Sequence, residues 1–208
     1  MGIIIELQRE ALDESISIES LMRKAYLVAK KLNLKEFEEW LRQEQNGYDE
    51  KVPKYRYMVG EVRAWNPYHG WIPVVVSAEI ADFISKMPIP TPISAIQDLY
   101  TSCKGATISS SVNGKIADWL NENSDNLPTK FEFFSSKSEL YRILSTVRNK
   151  ILDWALLLEE NGIVGDGMTF TEVEKQTAQS TQVINNYTNN FYGTITDIDV
   201  EQGWDFNT

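Results

Sequence analysis

The side chains that do most protein chemistry are scarce in this chain. There is one histidine, His69, set in Tyr68-His69-Gly70. An isolated imidazole can serve as a base or a ligand, but beside a glycine and two aromatic residues it reads as part of a turn. There is one cysteine, Cys103, followed by Lys104. A neighbouring ammonium lowers a thiol's pKa, yet no His–Asn pair accompanies it, and a structural thiol is expected. A single cysteine excludes an internal disulfide and a multi-cysteine metal site. Ser109-Ser110-Ser111 lacks the Gly-x-Ser-x-Gly frame of a nucleophile elbow. Neither Gly-x-x-x-x-Gly-Lys-Ser/Thr nor Gly-x-Gly-x-x-Gly occurs, so those two phosphate cradles are excluded. No cofactor, no bound metal and no catalytic residue is expected.

Carboxylates are more plentiful. Glu36, Glu38, Glu39 and Glu44 crowd one segment, and Glu159-Glu160 end another. General acid–base work needs one carboxylate desolvated and another solvated. Next to Lys35, Arg42 and Lys150 these acids read instead as solvated helix faces. Thr146-Val147-Arg148-Asn149-Lys150-Ile151-Leu152-Asp153-Trp154 resembles the active helix of HEPN ribonucleases, in which a histidine follows the arginine by about five or six residues. Here those positions hold Asp153 and Trp154. Without the imidazole the proton-transfer group is missing near neutral pH. Arg148 and Asn149 are then expected to anchor this helix to the middle of the chain.

The elements that would position these residues follow from periodicity. Ile4, Leu7, Ala11 and Leu12 have helical spacing. A second helix starts at a Ser17 cap and carries Ile18, Leu21, Met22, Ala25, Val28, Ala29 and Leu32 on one face. Asn33 and Glu36 read as the start of a third helix, with Phe37, Trp40 and Leu41 inward and Asn46-Gly47 as its stop. All seven prolines lie between Pro53 and Pro128. Residues 55–65 and 72–77 read as strands around the Asn66-Pro67-Tyr68-His69-Gly70 turn. Short helices are expected over 93–99 and 113–120 and a strand over 130–134. A long helix follows Ser136, with a capping-box Glu139. Leu140, Leu144, Val147, Ile151, Trp154 and Leu158 form its apolar seam, and Gly162 stops it. Core packing against the N-terminal helices is the expected role of that seam, with a dimeric coiled coil as the alternative.

The 208 residues carry 30 acids against 20 bases, a formal charge of −10. From Gly162 onward seven acids face one base, so the first 161 residues carry only −4. That balance argues against a broad grip on nucleic acid. No stretch is long and apolar enough to span a bilayer, no secretory leader is visible, and a cytoplasmic protein without membrane contact is expected. In the Asn- and Thr-rich end, Val183, Tyr187, Phe191 and Ile195 recur every fourth residue and would share one face of an extended chain. The fold class expected is α+β. It comprises an N-terminal helical hairpin or bundle, a small central β hairpin, a long C-terminal helix and an extended β-forming tail. The domains expected are a body over 1–161, a polar linker over 162–180 and a strand tail over 181–208.

Several pieces taken in order resemble one family. They are Leu21-Met22-Arg23-Lys24, Phe37-Glu38-Glu39-Trp40-Leu41 through Glu44 to Asn46-Gly47-Tyr48, Pro53-Lys54-Tyr55-Arg56, Gly60, Ile72-Pro73, Pro92-Ile93-Ser94 and residues 146–153. This order is similar to the AbiTii domain of bacterial abortive-infection proteins, over about residues 1–161. The Asn-rich end resembles tails that follow this domain. The resemblance implies anti-phage defence by arrest or death of the infected cell, and supplies no catalytic residues. The polar positions that match it are Arg23, Glu44, Asn46, Tyr48, Arg56, Arg148 and Asn149, a candidate partner-binding surface. The leading expectation is a non-enzymatic binding module that homo-oligomerises through Val183, Tyr187, Phe191 and Ile195, with a phage or host protein as a further partner. The alternatives are a nuclease-type toxin, HEPN-like or metal-dependent, and an antitoxin-like regulator.

Overall fold

The computed structural model describes residues 2–124 and 127–191. Three helices open the chain: α1 (Ile3–Leu12), α2 (Ile18–Leu32) and α3 (Lys35–Asn46). The Ser17 side chain accepts from the Ser20 N–H and starts α2, and every residue of its predicted apolar face is buried. Asn33 does not cap α3. It takes a left-handed conformation (φ 58°) and closes α2, while the buried Leu34 precedes α3 without a side-chain cap bond. With two residues to reverse direction, the chain needs its left-handed residue at once, and asparagine tolerates that geometry. Gly47 ends α3 at φ 98°.

The middle is a small antiparallel sheet. Strands β1 (Tyr57–Asn66) and β2 (Gly70–Pro73) form the expected hairpin, with Trp65 opposite Trp71. After α4 (Ala78–Ile84), β3 (Lys86–Pro88) pairs with the start of β1. Then come α5 (Ile93–Ser102), β4 (Thr107–Ser111), α6 (Gly114–Glu122) and β5 (Phe131–Ser136), giving the order β2-β1-β5-β4. Thr107-Ile108-Ser109-Ser110-Ser111 has no apolar alternation, which hides β4 from pattern reading. Gly60 is required where β1 crosses β5, because a Cβ there would lie 2.3 Å from the Phe134 carbonyl oxygen. Val62, Phe131 and Phe133 point into the core.

Helix α7 (Lys137–Glu160) is the spine. The Ser136 hydroxyl accepts from the Ser138 N–H. Glu139 does not reach back to complete a capping box; its carboxylate accepts from the Val59 N–H and from Arg142, fastening α7 to β1. All six seam residues are buried in the core, and α1 lies along α7, with Gln8 donating to the Ala155 carbonyl and to Glu159.

The C-terminal expectations need correction. Residues 162–180 are part of the body rather than a linker. Ile163, Phe170 and Ala178 are buried, and residues 166–169 close a tight turn. Helix α8 (Glu172–Ser180) opens with a capping box between Thr171 and Glu174. The Gln179 amide donates to the Leu32 carbonyl and holds α8 on α2. Beyond it, α9 (Gln182–Asn185) and a 3-10 turn (Tyr187–Asn190) replace the expected strand. A spacing of four lies on one face of a strand and nearly on one face of a helix, so spacing alone does not choose. Packing chooses: Ile184, Thr188 and Phe191 are buried while Val183 is 64% exposed, which is a helical pattern. Ile195 and the rest of 192–208 lie outside the described residues. The α+β class, with its N-terminal helices, central hairpin and long C-terminal helix, stands.

Candidate functional site

Helix α3 delivers Glu44 inward, one turn before the chain leaves at Gly47. A short 3-10 turn, Lys54–Arg56, brings Arg56 back across it. Both side chains are fully buried, and the Arg56 NH2 group lies 2.6 Å from Glu44 Oε2. Arg56 Nε donates to Glu44 Oε1 at 3.1 Å, making the contact bidentate. The phenols of Tyr48 and Tyr55 donate to the same Oε1 at 2.6 and 2.7 Å, and Trp40 Nε1 donates to the Tyr55 oxygen at 2.7 Å. The remaining Arg56 amino group donates to the Thr91 carbonyl. Burial, and then the charge on Glu44, push the Tyr48 and Tyr55 phenols far above their ordinary range. Burial pulls Arg56 down, but Glu44 beside it more than offsets this and holds it above its ordinary value. Charge and hydrogen bonds are matched inside the cluster, which makes it a structural lock between α3 and the start of β1.

Glu44 therefore does not belong to a solvated face, and Glu38, also buried, does not either; it pairs with Lys30 at 2.8 Å. The structure joins three of the seven family-matched polar residues: Glu44, Tyr48 and Arg56. Two others, Arg23 and Asn46, line a shallow cleft of about 320 Å³ with Tyr26 and Ser94, where Arg23 pairs with Glu19. Arg148 stands apart. Its guanidinium donates to the carbonyls of Glu10, Asp13 and Ile16. It anchors α7 to the α1–α2 turn, not to the middle of the chain, because α1 is what lies along α7 at that height. Desolvation lowers its pKa. Asn149 is exposed. His69 is exposed in its turn, and the Cys103 thiol contacts the Gly105 carbonyl.

A second feature carries two of the oligomerisation candidates, Tyr187 and Phe191. Between α3 and α7 runs a groove filled by residues 184–191. The Tyr187 ring meets Phe37 edge-on at 5.9 Å, and its hydroxyl donates to the Lys150 carbonyl at 3.0 Å. Phe191 meets Trp40 edge-on at 5.1 Å. The Lys150 ammonium sits 3.5 Å from the Phe191 ring centroid and 5.1 Å from that of Tyr55. Desolvation lowers the Lys150 pKa. The signal available in the sequence is the aromatic pair Tyr187 and Phe191 itself, and both rings seat on α3 of the same chain. Among the described residues no group of three or more His, Cys, Asp or Glu is placed to hold a metal ion, and no helix is long and apolar enough to cross a membrane.

The AbiTii family's sequence model matches residues 2–183. No curated protein and no solved structure matches the chain.

Proposed function

The chain belongs to the AbiTii family, a bacterial abortive-infection domain, and from that premise we propose that it serves defence as a binding and self-assembling module, with its C-terminal segment joining copies. The observation that carries the non-enzymatic part is the pairing of Glu44 with Arg56. The strongest acid–base pair among the family-matched residues is fully buried and satisfied by its own neighbours. Arg148, the residue a HEPN-like reading would use, donates to three backbone carbonyls at the α1–α2 turn. A group that acts on a substrate needs a free position toward it.

Two measurements test this. Cells carrying the gene are challenged with a phage panel, and reduced plaque formation with early growth arrest is the expected result. The purified full-length protein is incubated with RNA and DNA, with and without Mg²⁺ or Mn²⁺, and its mass is read by light scattering. Assemblies larger than one chain and intact nucleic acid are expected. Cleavage lost on Arg148→Ala in a protein that still folds would replace this reading with the nuclease one.

A further inference from the structure

Two of the residues proposed to join copies, Tyr187 and Phe191, are already occupied within one chain. Ile184, Thr188 and Phe191 are buried, and Tyr187 is hydrogen-bonded to α7. A side chain seated in its own groove cannot also bind a neighbour. From this conflict we infer that copies associate by exchange: residues 182–191 leave their own groove between α3 and α7 and seat in the same groove of a second copy. The inference rests on the self-assembly reading above.

Three features of the structure favour this route. The groove's fit to its occupant is visible rather than assumed, because Phe37, Trp40 and Lys150 already receive the segment. A second copy presents the identical groove and segment, so no new complementary surface is needed, and reciprocal exchange closes as a two-fold dimer. The joint is also well placed. Thr181 is a single extended residue (φ −81°, ψ 106°) between α8 and α9. Opening there leaves α8 fixed to α2 through Ala178 and the Gln179–Leu32 bond. Most of the exchanged segment lies past residue 183, where the family match ends. The body it leaves is therefore nearly the whole matched domain. Because contacts in the two forms are alike, association is governed by concentration.

Single-cysteine proteins test the exchange directly. Gln43 and Asn189 line one cleft of about 430 Å³ on opposite sides of the α3–segment contact. In a Cys103→Ser background, full-length Gln43→Cys and Asn189→Cys proteins are co-expressed and treated with a short bismaleimide. Exchange gives a cross-linked dimer on a denaturing gel that neither protein gives alone. A chain carrying both cysteines, diluted below the association range, cross-links internally and shows that the positions can react. Oligomers in light scattering without the mixed cross-link would overturn the exchange and leave the self-assembly reading standing. A single-chain mass at every concentration would overturn both.

Discussion

The Glu44–Arg56 lock and the Lys150–Phe191 contact lie on either side of Tyr55 and use opposite chemistry. In the first, two opposite charges are fully buried, the Tyr48 and Tyr55 phenols donate to Glu44, and Arg56 donates to Glu44 and the Thr91 carbonyl. In the second, one half-buried ammonium rests on aromatic faces. A buried ion pair is costly to break because one partner is left desolvated and unpaired. A cation on a ring can be uncovered to water at modest loss, about 0.5–2 kcal/mol. The first contact ties α3 to the start of β1; the second helps to hold the segment proposed above to exchange.

Breaking the lock should give the largest effect. Arg56→Met strands Glu44 in the core and is expected to cost about 3–5 kcal/mol in urea unfolding. The double variant Glu44→Gln/Arg56→Met should recover part of that loss, and a double variant no more stable than Arg56→Met would show that the two residues act separately. Next comes the segment. Phe191→Ala removes a side chain worth about 3 kcal/mol. Amide exchange over 182–190 is expected to accelerate by about a hundredfold, since each 1.4 kcal/mol is tenfold, while the α7 seam stays protected. Equal acceleration in both would erase the contrast between the two contacts.

Arg148→Met is a smaller perturbation. It strips hydrogen bonds from carbonyls at the end of α1 that water partly replaces, and about 1 kcal/mol of stability should go. RNA-cleaving activity should be nil before and after. The smallest effect concerns acid. Burial raises the Glu174 carboxyl, but N–H groups of Thr171, Gly165 and Val164, with the Thr171 hydroxyl, more than offset this and hold it below the usual range. A carboxylate with a lowered folded pKa contributes stability above its unfolded value and loses it as pH falls through the folded one. The α8 cap should therefore loosen in acid, below about pH 4. Glu174→Gln should flatten that dependence, as read from exchange of the Val164 and Gly165 amides against pH.

Much of the body was legible because its signals are local. The α2 face, the Gly47 stop, the Asn66–Gly70 turn and the α7 seam each need only a few neighbouring residues to be recognised. Glu44 was misread for the opposite reason. On α3 it sits among Glu36, Glu38 and Glu39 and looks solvated, and its partner lies twelve residues away on another element. Strand β4 carries no apolar rhythm and exists because β5 supplies its hydrogen bonds. Of the family-matched residues, Glu44, Tyr48 and Arg56 form a lock, Arg23 and Asn46 line a cleft and Arg148 anchors a helix.

By itself the sequence determined the α+β composition, the Ser17 cap, the Asn66–Gly70 turn and the apolar stripes of α2 and α7, since propensity and periodicity act within a few residues. Tertiary structure decided where the buried charge goes and whether Tyr187 and Phe191 lie on a strand or on a helical turn. Those choices depend on which distant groups desolvate a side chain and which of them satisfy it, and that is known only once the chain has closed around them.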